Sequence, residues 1–163
     1  HYTSLMADRA IPLRQGVERL IGEARAAGWR LAIATTTTPE NVTALVGSTL
    51  PPGAIDWFEV IGAGDVVPKK KPAPDIYQWV VDRLGIAPSQ AIVFEDSENG
   101  LRSARDAGLQ KVVVTIGDYT KDHDFHGATV VLSSLGDPQL PARAISGRGP
   151  SNGLVDLAFL ESL

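Results

Sequence analysis

Three stretches of this chain carry side chains suited to holding an anion and a metal ion. Lys69-Lys70-Lys71 runs directly into Pro72-Ala73-Pro74-Asp75-Ile76-Tyr77, so three ammonium groups precede a Pro-x-Pro sequence. Proline is tolerated in the first helical turn, where a missing amide hydrogen leaves no bond unmade, so Pro72 and Pro74 are expected to fix a helix start. Ammonium groups at that mouth add to the partial positive charge of unpaired helix amides, a good arrangement for a phosphate. Thr35-Thr36-Thr37-Thr38-Pro39-Glu40-Asn41 is a hydroxyl-rich turn opening another helix, and Glu95-Asp96-Ser97 places two carboxylates after an apolar run. Hydroxyls and amides for phosphate oxygens, a lysine for phosphate charge and a hard carboxylate for Mg2+ are three parts of a phosphoryl-transfer site. Hydrolysis of a phosphate monoester also needs a nucleophile, and none is evident.

Each stretch has a plainer reading. A lysine run is commonly a solvated surface. Threonines before a helix serve as caps and turn residues, and Glu95-Asp96 does the same work against a helix dipole. His123 and His126 lie three apart beside Asp122 and Asp124, a spacing metals use, but the segment is polar and loop-like and reads as surface.

The elements that must position these groups follow from periodicity. Val17, Leu20, Ile21 and Ala24 share a helix face, Gly28 is placed to stop that helix, and Arg30 to Thr35 is a short buried-type strand. The unit recurs. Pro74 to Leu84 is helical, with Ile76, Trp79, Val80 and Leu84 as its apolar face. Gly85 ends it, and Ala91 to Asp96 is a strand. Ser97 to Ala107 is helical, Gly108 ends it, and Lys111 to Thr115 is a strand. Helix, glycine and buried strand in repetition indicate an α/β fold, a parallel sheet with crossover helices. Ile55 to Ile61 adds a further expected strand and Thr129 to Leu132 a last one. Gly136 to Asn152, with Pro138, Pro141 and Pro150, is expected as loop, and Leu154 to Leu163 as a terminal helix. Ligands of such sheets bind at the carboxyl ends of the strands, where Thr35 and Glu95-Asp96 fall.

With 163 residues the chain is one domain's worth. Its net charge of -4, without acidic or basic blocks, gives no electrostatic case for nucleic acid or membrane as a partner. The absence of cysteine excludes disulfides and thiolate metal sites. No apolar run approaches the roughly 18 to 20 residues that cross a bilayer.

In order along the chain, Leu31-Ala32-Ile33-Ala34-Thr35, Lys71-Pro72-Ala73-Pro74-Asp75-Ile76-Tyr77 and Ile92-Val93-Phe94-Glu95-Asp96-Ser97-Glu98-Asn99-Gly100-Leu101 resemble the second, third and fourth motifs of the haloacid dehalogenase-like hydrolase superfamily. Gly64 to Pro72, the Thr35 to Asn41 loop and Gly117-Asp118-Tyr119-Thr120 are similar to its CbbY-type sugar phosphatases. The resemblance implies a Rossmann-like core with helices on both faces and a Mg2+-dependent phosphatase acting on a phosphorylated sugar, xylulose 1,5-bisphosphate in first place. The neighbouring reading is a β-phosphoglucomutase-like transfer.

It further implies that Thr35 and the Thr36 amide hold the transferring phosphoryl group and Lys71 neutralises it. Asp96 is the expected Mg2+ ligand with Glu95 in support. Thr38 and Asn41 are candidates for the distal phosphate or sugar, and Lys70 for a second electrostatic contact. A cytoplasmic monomer is expected, or a stromal one in a photosynthetic eukaryote. One departure is large. The family's first motif, an Asp-x-Asp on a central strand between those bearing Thr35 and Asp96, is absent, as is most of the helical cap. Residues 1–9 are expected to be the end of a cap helix and 10–163 the core, with the missing strand supplied by a longer chain or a partner. Without it the expectation is an inactive segment or a non-catalytic phosphate-binding domain.

Overall fold

A computed structural model describes residues 11–163, so the helix expected over 1–9 lies outside the described residues. Helix α1 (Val17–Ala26) buries Leu20 and Ala24, and Gly28, at φ 77°, turns the chain into β1 (Leu31–Ala34). Helix α2 (Pro39–Thr49) starts at Thr38, whose hydroxyl accepts from the Asn41 amide. A 3-10 turn over Ala54–Trp57 takes the first half of the strand expected from Ile55, leaving β2 as Phe58–Gly62. Helix α3 (Asp75–Leu84) ends at Gly85 and leads to β3 (Ile92–Glu95). Helix α4 (Glu98–Asp106), capped by the Ser97 hydroxyl, leads to β4 (Lys111–Thr115). β5 (Val130–Leu132), β6 (Ala144–Ser146) and α5 (Leu157–Glu161) complete the described chain. β6 corrects the expectation of loop over 136–152. All three of its residues are exposed, so no burial alternation announces it.

The strands form two sheets, β1-β2 and β3-β4-β5-β6, parallel except for β6. Among the described residues no ladder joins β1 to β3, so each presents one unpaired edge. Side chains alternate across β4. Val112 and Val114 face α3 and α4 with Ile76, Val81 and Leu101, whereas Val113 faces α1 and α5 with Leu20 and Leu160. Helices thus cover both faces of an α/β, Rossmann-like core. Val112, Val113 and Val114 are fully buried, and burying such a side chain stabilises a fold by about 1.5–3 kcal/mol. A third cluster packs Val42 and Val46 of α2 with Ile33 and Ile61 of the two-stranded sheet.

Helix α3 departs from its expected face. It buries Ile76, Tyr77, Val80 and Val81, while Trp79 is only partly covered and carries the Arg83 guanidinium 4.0 Å above its ring. The cause is its position, packed on β1 and β2 to one side and on α4 to the other, which widens the apolar face. Gly62 permits the close approach, since a Cβ there would sit 2.8 Å from Val80 Cγ2. Pro74 is the N-cap of α3, but Pro72 lies outside the helix, after a cis Lys71–Pro72 bond. No helix among the described residues is long and apolar enough to cross a membrane.

Candidate active site

Lys71 sits in the loop entering α3, and its ammonium reaches the carboxyl ends of strands in both sheets. Nζ donates to the Ala34 carbonyl, the last of β1, at 3.0 Å and to Glu95 Oε1, at the end of β3, at 2.6 Å. One ammonium therefore joins the threonine turn, the lysine stretch and the carboxylate pair. The Lys71 and Glu95 side chains are 14% and 7% exposed, so solvent screens their attraction little.

Glu95 has a further partner that sequence reasoning missed. The Tyr77 hydroxyl donates to the same Oε1, and the Tyr77 ring lies under the ammonium at 4.8 Å. Burial, reinforced by the Glu95 charge, its hydrogen bond and the Asp96 charge, pushes the Tyr77 phenol well above its ordinary range, so it remains a donor. Gly100, in the first turn of α4, is the second omission: a Cβ at this position would coincide with the Glu95 carboxylate. Tyr77 stood in the Pro-x-Pro stretch and Gly100 in the acidic one. Only the rotation of α3 and the seating of α4 bring them to Glu95.

Of the two carboxylates expected to serve a metal, Glu95 is held by Lys71 and Tyr77, and Asp96 is exposed at the strand end. Among the described residues no three His, Cys, Asp or Glu side chains gather as a metal cluster. Mg2+ usually takes one or two carboxylates with phosphate oxygens and waters, so Asp96 fits as one such ligand. A shallow cavity of about 160 Å³ opens beside Glu95 and Asp96, lined also by Phe94, Thr115, Val17 and Leu135; Thr35 and Lys71 lie outside it.

The threonine turn is built from its own hydrogen bonds. The Thr35 amide donates to Gly62 at 2.9 Å, which anchors it to β2, and the Thr35 hydroxyl accepts from the Thr37 amide at 3.2 Å. Thr37 O accepts from the Gly64 amide at 2.6 Å, and the Thr37 hydroxyl accepts from the Asn41 side-chain amide at 3.2 Å. Asn41 and the capping Thr38 therefore shape the turn, as the plainer reading allowed. Thr36 is exposed at its apex.

Lys70 faces elsewhere. It donates to the Gly64 carbonyl at 3.1 Å and pairs with Asp65 at 2.9 Å, closing the loop before α3. His123 is exposed, its Nδ1 accepting from the Glu98 amide at 3.3 Å, consistent with a surface role.

Residues 2–108 match the haloacid dehalogenase-like hydrolase family. Protein CbbY of Rhodobacter capsulatus is 50% identical over 127 residues, which cover 78% of this chain and 56% of that protein. A crystal structure of a CbbY variant from Rhodobacter sphaeroides in complex with xylulose-(1,5)bisphosphate matches with TM-score 0.78 and 47% identity, over 82% of this chain and 60% of that one. The crystal structure of a β-phosphoglucomutase homologue from Thermotoga maritima matches with TM-score 0.61 and 27% identity, over 71% of this chain and 51% of that one. The chain spans little more than half the length of these relatives. With a family match across most of its described core and strand ends that gather the three motif segments around one ammonium, the chain belongs to the haloacid dehalogenase-like hydrolases.

Proposed function

We propose that these residues form the larger part of a Mg2+-dependent phosphatase for a phosphorylated sugar, with xylulose 1,5-bisphosphate as the leading substrate. One observation carries the reading: the Lys71 ammonium bridges the strand end that presents Thr35 and the strand end that presents Glu95 and Asp96. The similarity to CbbY, one structure of which holds the bisphosphate, supports the choice of substrate.

In this reading a phosphoryl group rests on the Thr35 hydroxyl and the Thr36 amide, with the Lys71 ammonium opposing its charge. Groups set in place before the reaction stabilise developing charge by several kcal/mol, roughly. Asp96 would hold Mg2+, which supplies further charge neutralisation at the phosphoryl oxygens. Glu95 supports the arrangement by fixing Lys71. Thr38 and Asn41, at the rim, are placed to meet the distal part of the substrate, whereas Lys70, paired with Asp65, adds at most a weak long-range charge there.

The nucleophile is proposed to be an aspartate on an additional strand seated between β1 and β3. It attacks phosphorus, and the bond from phosphorus to the sugar oxygen breaks as the second aspartate of the family's Asp-x-Asp motif protonates the leaving oxygen. The same aspartate then takes a proton from the water that hydrolyses the aspartyl-phosphate to phosphate. The unpaired edges of β1 and β3, whose carboxyl ends Lys71 links, support that placement, because unpaired backbone is costly where it is covered. So does Phe94, a strand aromatic left 41% exposed at the β3 edge.

The test, run on the full-length protein that carries the additional strand, is phosphate release from xylulose 1,5-bisphosphate with and without Mg2+, beside conversion of β-glucose 1-phosphate. Release of phosphate from the bisphosphate supports the reading, and isomerisation of the glucose phosphate moves the protein to the mutases. Asp96→Asn is expected to remove Mg2+-dependent turnover. Wild-type rates in that variant exclude Asp96 as the ligand.

A further inference from the structure

Tyr77 touches both members of the central ion pair, and the roles assigned so far do not use it. The residue is only 6% exposed, on the face of α3 that meets the core. The hydroxyl donates to Glu95 Oε1, the oxygen that also accepts from Lys71 at 2.6 Å. The ring face lies 4.8 Å from Lys71 Nζ. Gly100 closes the remaining side, since its missing Cβ is the space that the Glu95 carboxylate fills.

A full negative charge 2.6 Å from a buried ammonium competes with any anion for that ammonium. A second donor on the same carboxylate oxygen reduces this competition, because hydrogen bonds to a shared acceptor withdraw charge from it. The ring face restrains the ammonium without neutralising it, as a quadrupole rather than a charge. Tyr77 is therefore built to hold Lys71 in place while weakening the hold of Glu95 on it. We propose that Tyr77 is a positioning residue which, through its hydroxyl on Glu95, sets how much of the Lys71 charge is available to a bound phosphate. The proposal rests on the reading of this site as a phosphate site.

Calorimetric titration of the protein with inorganic phosphate in the presence of Mg2+ tests it without reference to turnover. Tyr77→Phe keeps the ring and removes the hydroxyl, and is expected to weaken phosphate binding about 3- to 10-fold, the size of one hydrogen bond. In an Glu95→Gln background no carboxylate charge remains to be shared, so the same substitution is expected to cost less than about 2-fold. A merely structural tyrosine gives equal losses in both backgrounds. That result, or wild-type affinity in Tyr77→Phe, overturns the proposal.

If Glu95→Gln does not fold, 3-fluorotyrosine at position 77, a stronger donor of nearly the same shape, replaces it. Tighter phosphate binding then supports the proposal, and unchanged or weaker binding overturns it. Lys71→Ala separates the two levels of inference. Phosphate binding that Lys71→Ala weakens and Tyr77→Phe does not overturns this proposal alone. Phosphate binding that is absent from the unaltered protein, or indifferent to Lys71→Ala, overturns the site reading and this proposal together.

Discussion

Lys70 and Lys71 are neighbours in the chain and occupy opposite environments. Lys70 pairs with Asp65 across 2.9 Å, and the two side chains are 47% and 95% exposed. Lys71 pairs with Glu95 across 2.6 Å at 14% and 7% exposed. Similar distances conceal different energetics. In water the first pair is worth little, because hydration and salt compete with it and two long side chains must be ordered. The second has lost most of its hydration, so removing either partner leaves a charge with nowhere to go. The lesson concerns anion binding as much as stability. In the proposed phosphate site, a buried ammonium held by fixed partners would already be in position for the anion, whereas an exposed one would first have to be ordered.

Breaking the buried side of the comparison has the largest expected effect. Lys71→Ala should lower kcat by about 100- to 1,000-fold, the scale for loss of one preorganised charge contact. It should also reduce unfolding free energy in urea by about 3–5 kcal/mol, because Glu95 is left buried beside Tyr77 alone. Retention of both would remove Lys71 from the centre of the site.

Gly100→Ala attacks the same pair from behind. Its methyl group must displace the Glu95 carboxylate, and kcat should fall about 10- to 100-fold through misplacement of Lys71. Unchanged kinetics would show that Glu95 can relax.

A smaller effect is expected in alkali. The Tyr77 phenol titrates above its ordinary value of 10.0 in the folded protein, so the unfolded chain binds fewer protons once pH passes that value. The stability this contributes is complete below pH 10.0 and is lost as pH rises beyond it, by up to about 1.4 kcal/mol per pH unit. Tyr77→Phe should flatten that limb in urea titrations between pH 10.0 and higher values, and an unchanged slope would assign the loss to other groups.

The exposed side of the comparison should respond least. Lys70→Ala should cost below about 1 kcal/mol of stability and change KM by no more than a few fold, leaving kcat in place. A loss approaching that of Lys71→Ala would erase the distinction between the two lysines.

Much of this molecule was legible from the chain itself. Apolar period and glycine stops located α1, α3, α4, β3 and β4 within a residue or two, since those signals act over one or two helical turns. The failures have local causes. The 3-10 turn over Ala54–Trp57 took residues whose side chains suit a strand, and β6 is exposed on every residue, so periodicity carried no sign of it. The inward turn of Tyr77 and Val81 was hidden because α3 packs against two neighbours rather than one.

Residue types and their order determined by themselves that hydroxyls and carboxylates lie at the ends of two strands and that ammonium groups precede the helix between them. Only the tertiary structure decided which lysine turns inward, which carboxylate stays exposed, and that Tyr77 and Gly100 complete the setting of Glu95. The physical reason is range. Secondary structure follows from interactions between near neighbours in sequence, whereas the charge a group can offer depends on burial and on partners contributed by distant segments. Lys71 and Glu95 stand 24 positions apart along the chain.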